Sequence, residues 1–214
     1  AFALEATEVV LFRMKELAPV LKDTPQLHAA LLGKAARAIA QRLKTTSATL
    51  VGHGRAMGFG SGTMRREHDL LGERDVSEAA LYGVQTLRAL ENFPITGVPL
   101  REFPALVVAL AQVKEAAAHA NRDLGLLEAD VTDAIVKASR EVQAGSHHEH
   151  FLVDMIQGGA GTSTNMNVNE VLANRGLELL GKKRGDYDHC HPNNHVNRSQ
   201  NTNDVYPTAV KLAL

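Results

Sequence analysis

Two stretches of the chain carry residues suited to holding an anion. Residues 157–170 read QGGAGTSTNMNVNE. Glycine lets a backbone approach a ligand closely and adopt positive φ. A helix that starts behind such a turn offers unpaired N–H groups and the positive end of its dipole. Thr162, Ser163 and Thr164 add hydroxyl donors, and Asn165 adds an amide. Together these groups suit a carboxylate or a phosphate. The spacing is not G-x-x-x-x-G-K-[ST], which argues against a nucleotide P-loop. Ser, Thr and Asn are also the preferred helix caps, so composition alone leaves capping and anion binding even.

Residues 191–204, HPNNHVNRSQNTND, place Asn at 193, 194, 197, 201 and 203 among histidines and hydroxyls. Asn203 and Asp204, ahead of Tyr206-Pro207-Thr208, read as a second capped helix start. Two donor-rich helix entrances in one domain favour a carboxylate site. Two histidine runs, Ser146-His147-His148-Glu149-His150 and His189-x-His191-x-x-x-His195, contain ligand-type residues. Both read as loops with no partner cysteine pair. Surface or hydrogen-bonded histidine is the expectation, and no metal ligand set is assigned.

The elements that must position these segments read as mainly helical. An Ala-rich helix is predicted over 104–123. A second runs over 127–144, with Val131, Ile135, Ala138 and Val142 on one stripe and Gly145 as its stop. A third covers 166–180, closed by Gly181, with Lys182, Lys183 and Arg184 at its negative end. A fourth begins near Asp204 and runs to Leu214. Residues 66–92 read as polar and irregular, with a short strand or turn near 81–84. Upstream, residues 8–12 read as a buried strand. Thr24-Pro25 starts a helix carrying Leu27, Leu31, Leu32, Ala35, Ile39 and Leu43 at helical spacing. Residues 51–63, with five glycines, read as a flexible linker.

The 214 residues suggest one or two domains. A net charge of -1 disfavours nucleic acid or an anionic membrane as a partner. The single Cys190 excludes an internal disulfide framework and fits a reducing compartment. No apolar run approaches the roughly 18 residues of a spanning helix, and no signal peptide is visible.

At the level of motifs, EHDLLGERDVSEAALYGVQTLRALENFPITG resembles the N-terminal signature of the aspartate ammonia-lyase (aspartase) family. QGGAGTSTNMNVNEVLANRGLELLG is similar to that family's first active-site segment, and NNHVNRSQNTNDVYPTA to its second. The resemblance covers residues 64–214. It implies a mainly α fold: the N-terminal domain of the aspartase/fumarase fold over 64–203, with short strands. Residues 204–214 would begin the first helix of a central bundle that is otherwise truncated here. The implied reaction is reversible elimination of ammonia from L-aspartate to give fumarate, through an aci-carboxylate carrying two negative charges. Such an intermediate needs fixed donors aimed at the carboxylate oxygens. Neutral hydroxyls, amides and helix N-termini supply them without an acid that would protonate the carbanion.

Carried over by motif, Thr162 would bind the β-carboxylate, Asn201 and Thr202 would share that task, and Asn203 would sit near the amino group. Ser163 and Asn165 would support them. Asn201 stands where many members have Ser. His191, Asn193 and Asn194 would form a second anion site. Arg88 would position the N-terminal segment or serve as an ion pair inside the domain. No catalytic residue is assigned within the chain: the family's base serine lies on a mobile loop, G-S-S-x-M-P-x-K-x-N, beyond residue 214. Gly60-Ser61-Gly62-Thr63-Met64 imitates that loop but lacks its Pro, Lys and Asn. The resemblance requires no cofactor and allows a divalent cation such as magnesium as activator. It further implies a cytoplasmic homotetramer with active sites built from three subunits, and an isolated 1–214 segment without activity.

Two other readings stand beside this one. Class II fumarases typically read T-G-S-G-T-Q-S-N-M-N at the first segment, whereas residues 158–163 have the aspartase form. His191-Pro192-Asn193 is nearer the fumarase pattern, so a fumarase-like hydratase is the alternative enzyme. Residues 1–50 resemble the last strand and C-terminal helix of a cyclic-nucleotide-binding domain, whose ligand cassette would lie upstream. That resemblance allows a cyclic-nucleotide-responsive regulatory module with a non-catalytic scaffold.

Overall fold

The computed structural model describes residues 62–157 and 161–214. The strand and helix expected within residues 1–50, and the cyclic-nucleotide-binding resemblance drawn from them, lie outside the described residues. So does nearly all of the expected linker.

The described chain opens with an antiparallel hairpin, β1 (Met64–Asp69) and β2 (Gly72–Ser77), in register from Met64 opposite Ser77 to Asp69 opposite Gly72. Exposed and buried residues alternate along β1, but the inward residues are Arg65 and Glu67 rather than aliphatics. Arg65 is satisfied by the Glu67 carboxylate at 2.7 Å and by the carbonyls of Ser77, Ala80 and Tyr82. The sequence-based expectation of an irregular 66–92 is thus corrected to a hairpin followed by helix α1 (Val84–Asn92). Residues 81–83 are the approach to that helix, not a strand.

No side chain of its own caps α1. Its free N–H groups are taken by two distant carboxylates. Glu170 accepts from Gly83, Gln85 and Thr86 at 2.8–3.0 Å, and Glu67 accepts from Val84 at 2.9 Å. Burial pushes the Glu170 carboxyl up to about 7 despite those donors. Arg88 holds Asp69 through two bonds of 2.7 and 2.8 Å, which lowers the Asp69 carboxyl from its usual range. Arg88 is therefore the ion pair that fastens α1 to the hairpin.

Helices α2 (Pro104–Asp123) and α3 (Ala129–Gln143) match their expected spans within two residues. Proline opens α2, where its missing N–H costs nothing. Ile135, Ala138 and Val142 of the α3 stripe are buried, Val131 is half-buried, and Gly145 at φ 93° ends the run. Both pack near α4 (Thr162–Leu179), the most buried helix of the described chain.

Helix α4 fixes its neighbouring loops with buried amides. Asn167 accepts from the Leu152 N–H and donates to the His150 carbonyl, both at 3.0 Å. Asn174 donates to the Leu81 carbonyl and accepts from the Gly185 N–H, both at 2.8 Å. A buried amide that satisfies loop backbone avoids the cost of unpaired polar groups. The last helix, α5 (Thr202–Ala213), exposes most of its surface. No helix among the described residues is long and apolar enough to cross a membrane.

Candidate functional site

The first donor-rich segment differs from its sequence reading. Helix α4 starts at Thr162, not Met166, and its N-cap is Gly161 at φ 85°. Thr162, Ser163 and Thr164 therefore occupy the first turn, and none of them caps the helix. Thr162 is exposed, Ser163 half-buried, and Thr164 and Asn165 buried. The exposed hydroxyl at the positive end of this most buried helix is thus available to a ligand, whereas the capping alternative is not realised.

The second entrance also starts earlier, at Thr202. Asn201 is the cap: its side-chain oxygen accepts the Asn203 N–H at 3.0 Å. Its amide nitrogen remains the group it can offer to a ligand. Pro207 lies inside α5 and brings no N–H to the Asn203 carbonyl one turn earlier.

The two entrances meet. Asn165 Nδ2 donates to Thr202 Oγ1 at 3.2 Å and to Asn197 Oδ1 at 3.1 Å. Beside this junction lies a cavity of about 390 Å³, lined by Met155, Ile156, Gln157, Gly161, Asn203, Tyr206 and Pro207. Its walls are tightly set. A Cβ on Gly161 would fall 2.6 Å from the Tyr206 ring. Asp154 fixes the Met155–Gln157 side by accepting from the N–H groups of Thr96, Gly97 and Ile156 at 2.6–2.8 Å. Of the residues expected to bind substrate, Asn203 lines this cavity. Asn165 is buried behind the junction, and Thr162, Ser163, Asn201 and Thr202 border the two helix starts.

His191, Asn193 and Asn194 sit at a wide π-helical turn, Pro192–Val196, in place of the expected loop. His191 Nδ1 accepts the N–H groups of Asn193 and Asn194 at 2.9 and 3.2 Å, so the backbone donors of this turn are used internally. His195 Nδ1 in turn accepts the His191 N–H at 2.7 Å. What remains for an anion here is side-chain chemistry alone.

Ligand atoms of His147, Glu149 and His150 lie within 4.8 Å of one another. The histidine tautomer decides against a cation there. His150 Nδ1 accepts the Leu81 N–H at 3.3 Å. Burial pushes its imidazolium down to about 4, so the ring is neutral with its proton on Nε2. That proton faces Glu149 Oε1 at 3.4 Å. A metal on Nε2 would force a proton onto Nδ1, against the Leu81 N–H. The cluster suits hydrogen bonding rather than coordination.

Sequence reasoning missed one functional-looking residue. Lys114 on α2 is fully buried. Its Nζ donates to Asn197 Oδ1 at 2.8 Å and Gln200 Oε1 at 3.0 Å, and no carboxylate pairs with it among the described residues. Burial pushes its ammonium down to about 7. The signal was readable: Val107, Leu110, Ala111, Lys114, Ala118 and Asn121 form one buried helical stripe interrupted by a cation.

A model of the lyase family matches residues 72–214. An aspartate ammonia-lyase of Pseudomonas aeruginosa is 59% identical over 150 residues, covering 70% of this chain and 32% of that protein. The chain belongs to the aspartase/fumarase superfamily of lyases. Among solved structures, a fumarate lyase:delta crystallin of Brucella melitensis matches with TM-score 0.70 and 58% identity, over 71% of this chain and 35% of that one. It has also been solved bound to cobalt. A class II fumarase of Schistosoma mansoni matches with TM-score 0.64 and 42% identity, over 71% and 32% of the two chains. The chain spans about a third of the length of the curated relatives it matches.

Proposed function

We propose that this chain is the N-terminal part of an aspartate ammonia-lyase, which eliminates ammonia from L-aspartate reversibly to give fumarate. The observation that carries the reading is the Asn165–Thr202 bond, which joins two helix N-termini rich in neutral donors beside one cavity. Backbone N–H groups and hydroxyls fixed in this way stabilise the doubly charged aci-carboxylate without reorganising during reaction. Ammonia-lyases at 50–59% identity, against 42% for the fumarase, favour amine elimination over hydration.

In this reading Thr162 takes the β-carboxylate, with Ser163 beside it. Thr202 and the Asn201 amide take further carboxylate oxygens. Asn203 lies near the amino group, and its carbonyl, relieved of a helical donor by Pro207, accepts from the ammonium. Asn165 acts from behind, by holding the entrances together. His191, Asn193 and Asn194 offer side chains to a second anion site, and Arg88 sets the hairpin through Asp69. The base serine comes from a segment outside this chain, and residues 64–203 form one domain of a cytoplasmic homotetramer. The reading requires no cofactor and allows a divalent cation such as magnesium as activator, in keeping with the cobalt-bound relative. In the complete protein, Thr162→Val should lower kcat/KM for aspartate by about 10-fold or more, the loss of one hydrogen bond to a charged group. An unchanged kcat/KM would remove Thr162 from the site. Residues 1–214 alone should form no fumarate.

A further inference from the structure

We propose that Lys114 is a positioning residue for this reaction: through Asn197 and Asn165 it fixes the direction of a hydrogen-bond chain that leaves the Thr202 hydroxyl free to donate to substrate. The inference rests on the functional reading above. Each link has one permitted direction. An ammonium only donates, so Asn197 must present Oδ1 to Lys114. The Gln200 carbonyl, which only accepts, holds Asn197 Nδ2 at 3.2 Å and enforces the same orientation. Gln200 is oriented likewise, because its Nε2 donates to the Val196 and Arg198 carbonyls and turns Oε1 to Lys114.

Asn165 faces that same Asn197 oxygen and must therefore offer Nδ2. Flipping it would bring two amide oxygens together. The second Nδ2 proton goes to Thr202 Oγ1. Thr202 is half-buried between the exposed Asn201 and Asn203; it accepts from behind, which leaves its own proton for the exposed side. A cost is visible: Asn165 Oδ1 is buried with no hydrogen-bond partner. Natural structures seldom leave a buried acceptor so, and here the orientation that would satisfy it is the one that Lys114, together with the Gln200 carbonyl, forbids. Asn121, two turns along the same stripe of α2, donates to the Arg198 carbonyl at 2.9 Å and braces the same turn. A neutral Lys114 would still have two protons for its two acceptors, and the Gln200 carbonyl would keep Asn197 turned the same way.

A double-mutant cycle in the complete protein tests this. Lys114→Met should lower kcat/KM for aspartate by about 10- to 100-fold, the range for losing a charged donor, and Thr202→Val should do likewise. Acting through one hydroxyl, the two together should be no more than about 3-fold worse than Thr202→Val alone. Lys114→Arg, which keeps donors at the site, should recover part of the loss. Effects that multiply, or a Lys114→Met enzyme equal to wild type, overturn the proposal. If Lys114→Met does not fold, Lys114→Leu, which likewise has no donor, carries the same cycle. A wild-type protein with no activity on aspartate would refute the functional reading instead. The chain's direction then stands or falls on NMR of residues 1–214, where the Asn165 Nδ2 protons should be exchange-protected in wild type and lose protection in Lys114→Met. Equal protection in both would overturn it.

Discussion

Gly161→Ala perturbs the point where the two helix entrances touch. Two costs are separable. At φ 85° a side chain meets the left-handed penalty, about 1 kcal/mol. The new Cβ would also lie 2.6, 2.7 and 3.0 Å from Tyr206 ring atoms. Carbon contacts settle near 3.5 Å or beyond, so the ring must move by about 1 Å, an overpacking cost of about 1–3 kcal/mol. The sum is about 3 kcal/mol, or a fall in Tm of about 6–12 °C for a domain of this size. Because Tyr206 lines the cavity with Asn203, kcat/KM for aspartate should fall as well. Gly145→Ala is the control: its φ is 93°, and nothing lies within 4 Å of its Cβ. It should show only the backbone cost, about 2–4 °C. Differential scanning calorimetry on both variants, with kinetics on the complete protein, reads out each part. Equal Tm shifts for the two variants would refute the claim that the Gly161–Tyr206 approach sets the junction.

Gly83→Ala should destabilise by about 2–4 kcal/mol in chemical denaturation. Its Cβ would meet Glu67, Tyr187 and Glu170 oxygens at 2.6–2.9 Å, and the two carboxylates are the ones that cap α1; a loss under about 0.5 kcal/mol would show that they yield freely. His150 should make the fold acid-sensitive. Its folded value of about 4 lies below the unfolded 6.5, so the unfolded chain binds more protons between those limits and stability is lost as pH falls through them. Glu170, raised to about 7 by burial, works in the opposite sense over much of the same window, so the test is a difference between proteins. From pH 7 to pH 5, His150→Asn should gain about 2 kcal/mol relative to wild type. Parallel pH profiles would contradict the neutral, buried imidazole.

What could be read in the sequence follows from how locally each element is specified. Helices α2 and α3 carry their own periodicity and stops, and were placed nearly to the residue. The hairpin was invisible because the inward positions of β1 are Arg65 and Glu67, so no alternation of apolar and polar residues appears. Helix α1 was invisible for a related reason. Its cap comes from Glu170, more than 80 residues away. The donor-rich segments were found as groups, but their starts were displaced because Gly161, not a hydroxyl residue, caps α4, and because Asn201 rather than Asn203 caps α5. The junction itself depends on Lys114, Asn165 and Asn197, whose contacts span more than 30 residues of sequence and follow no local rule.

The central claim is that the two helix entrances hold the carboxylates of an amino acid undergoing elimination. The most direct test is to assay the complete protein for fumarate formed from L-aspartate and, separately, from L-malate. The account predicts fumarate and ammonia in equal amounts from aspartate, with little or no turnover of malate. Turnover of malate without release of ammonia from aspartate would contradict it and assign the site to a hydratase.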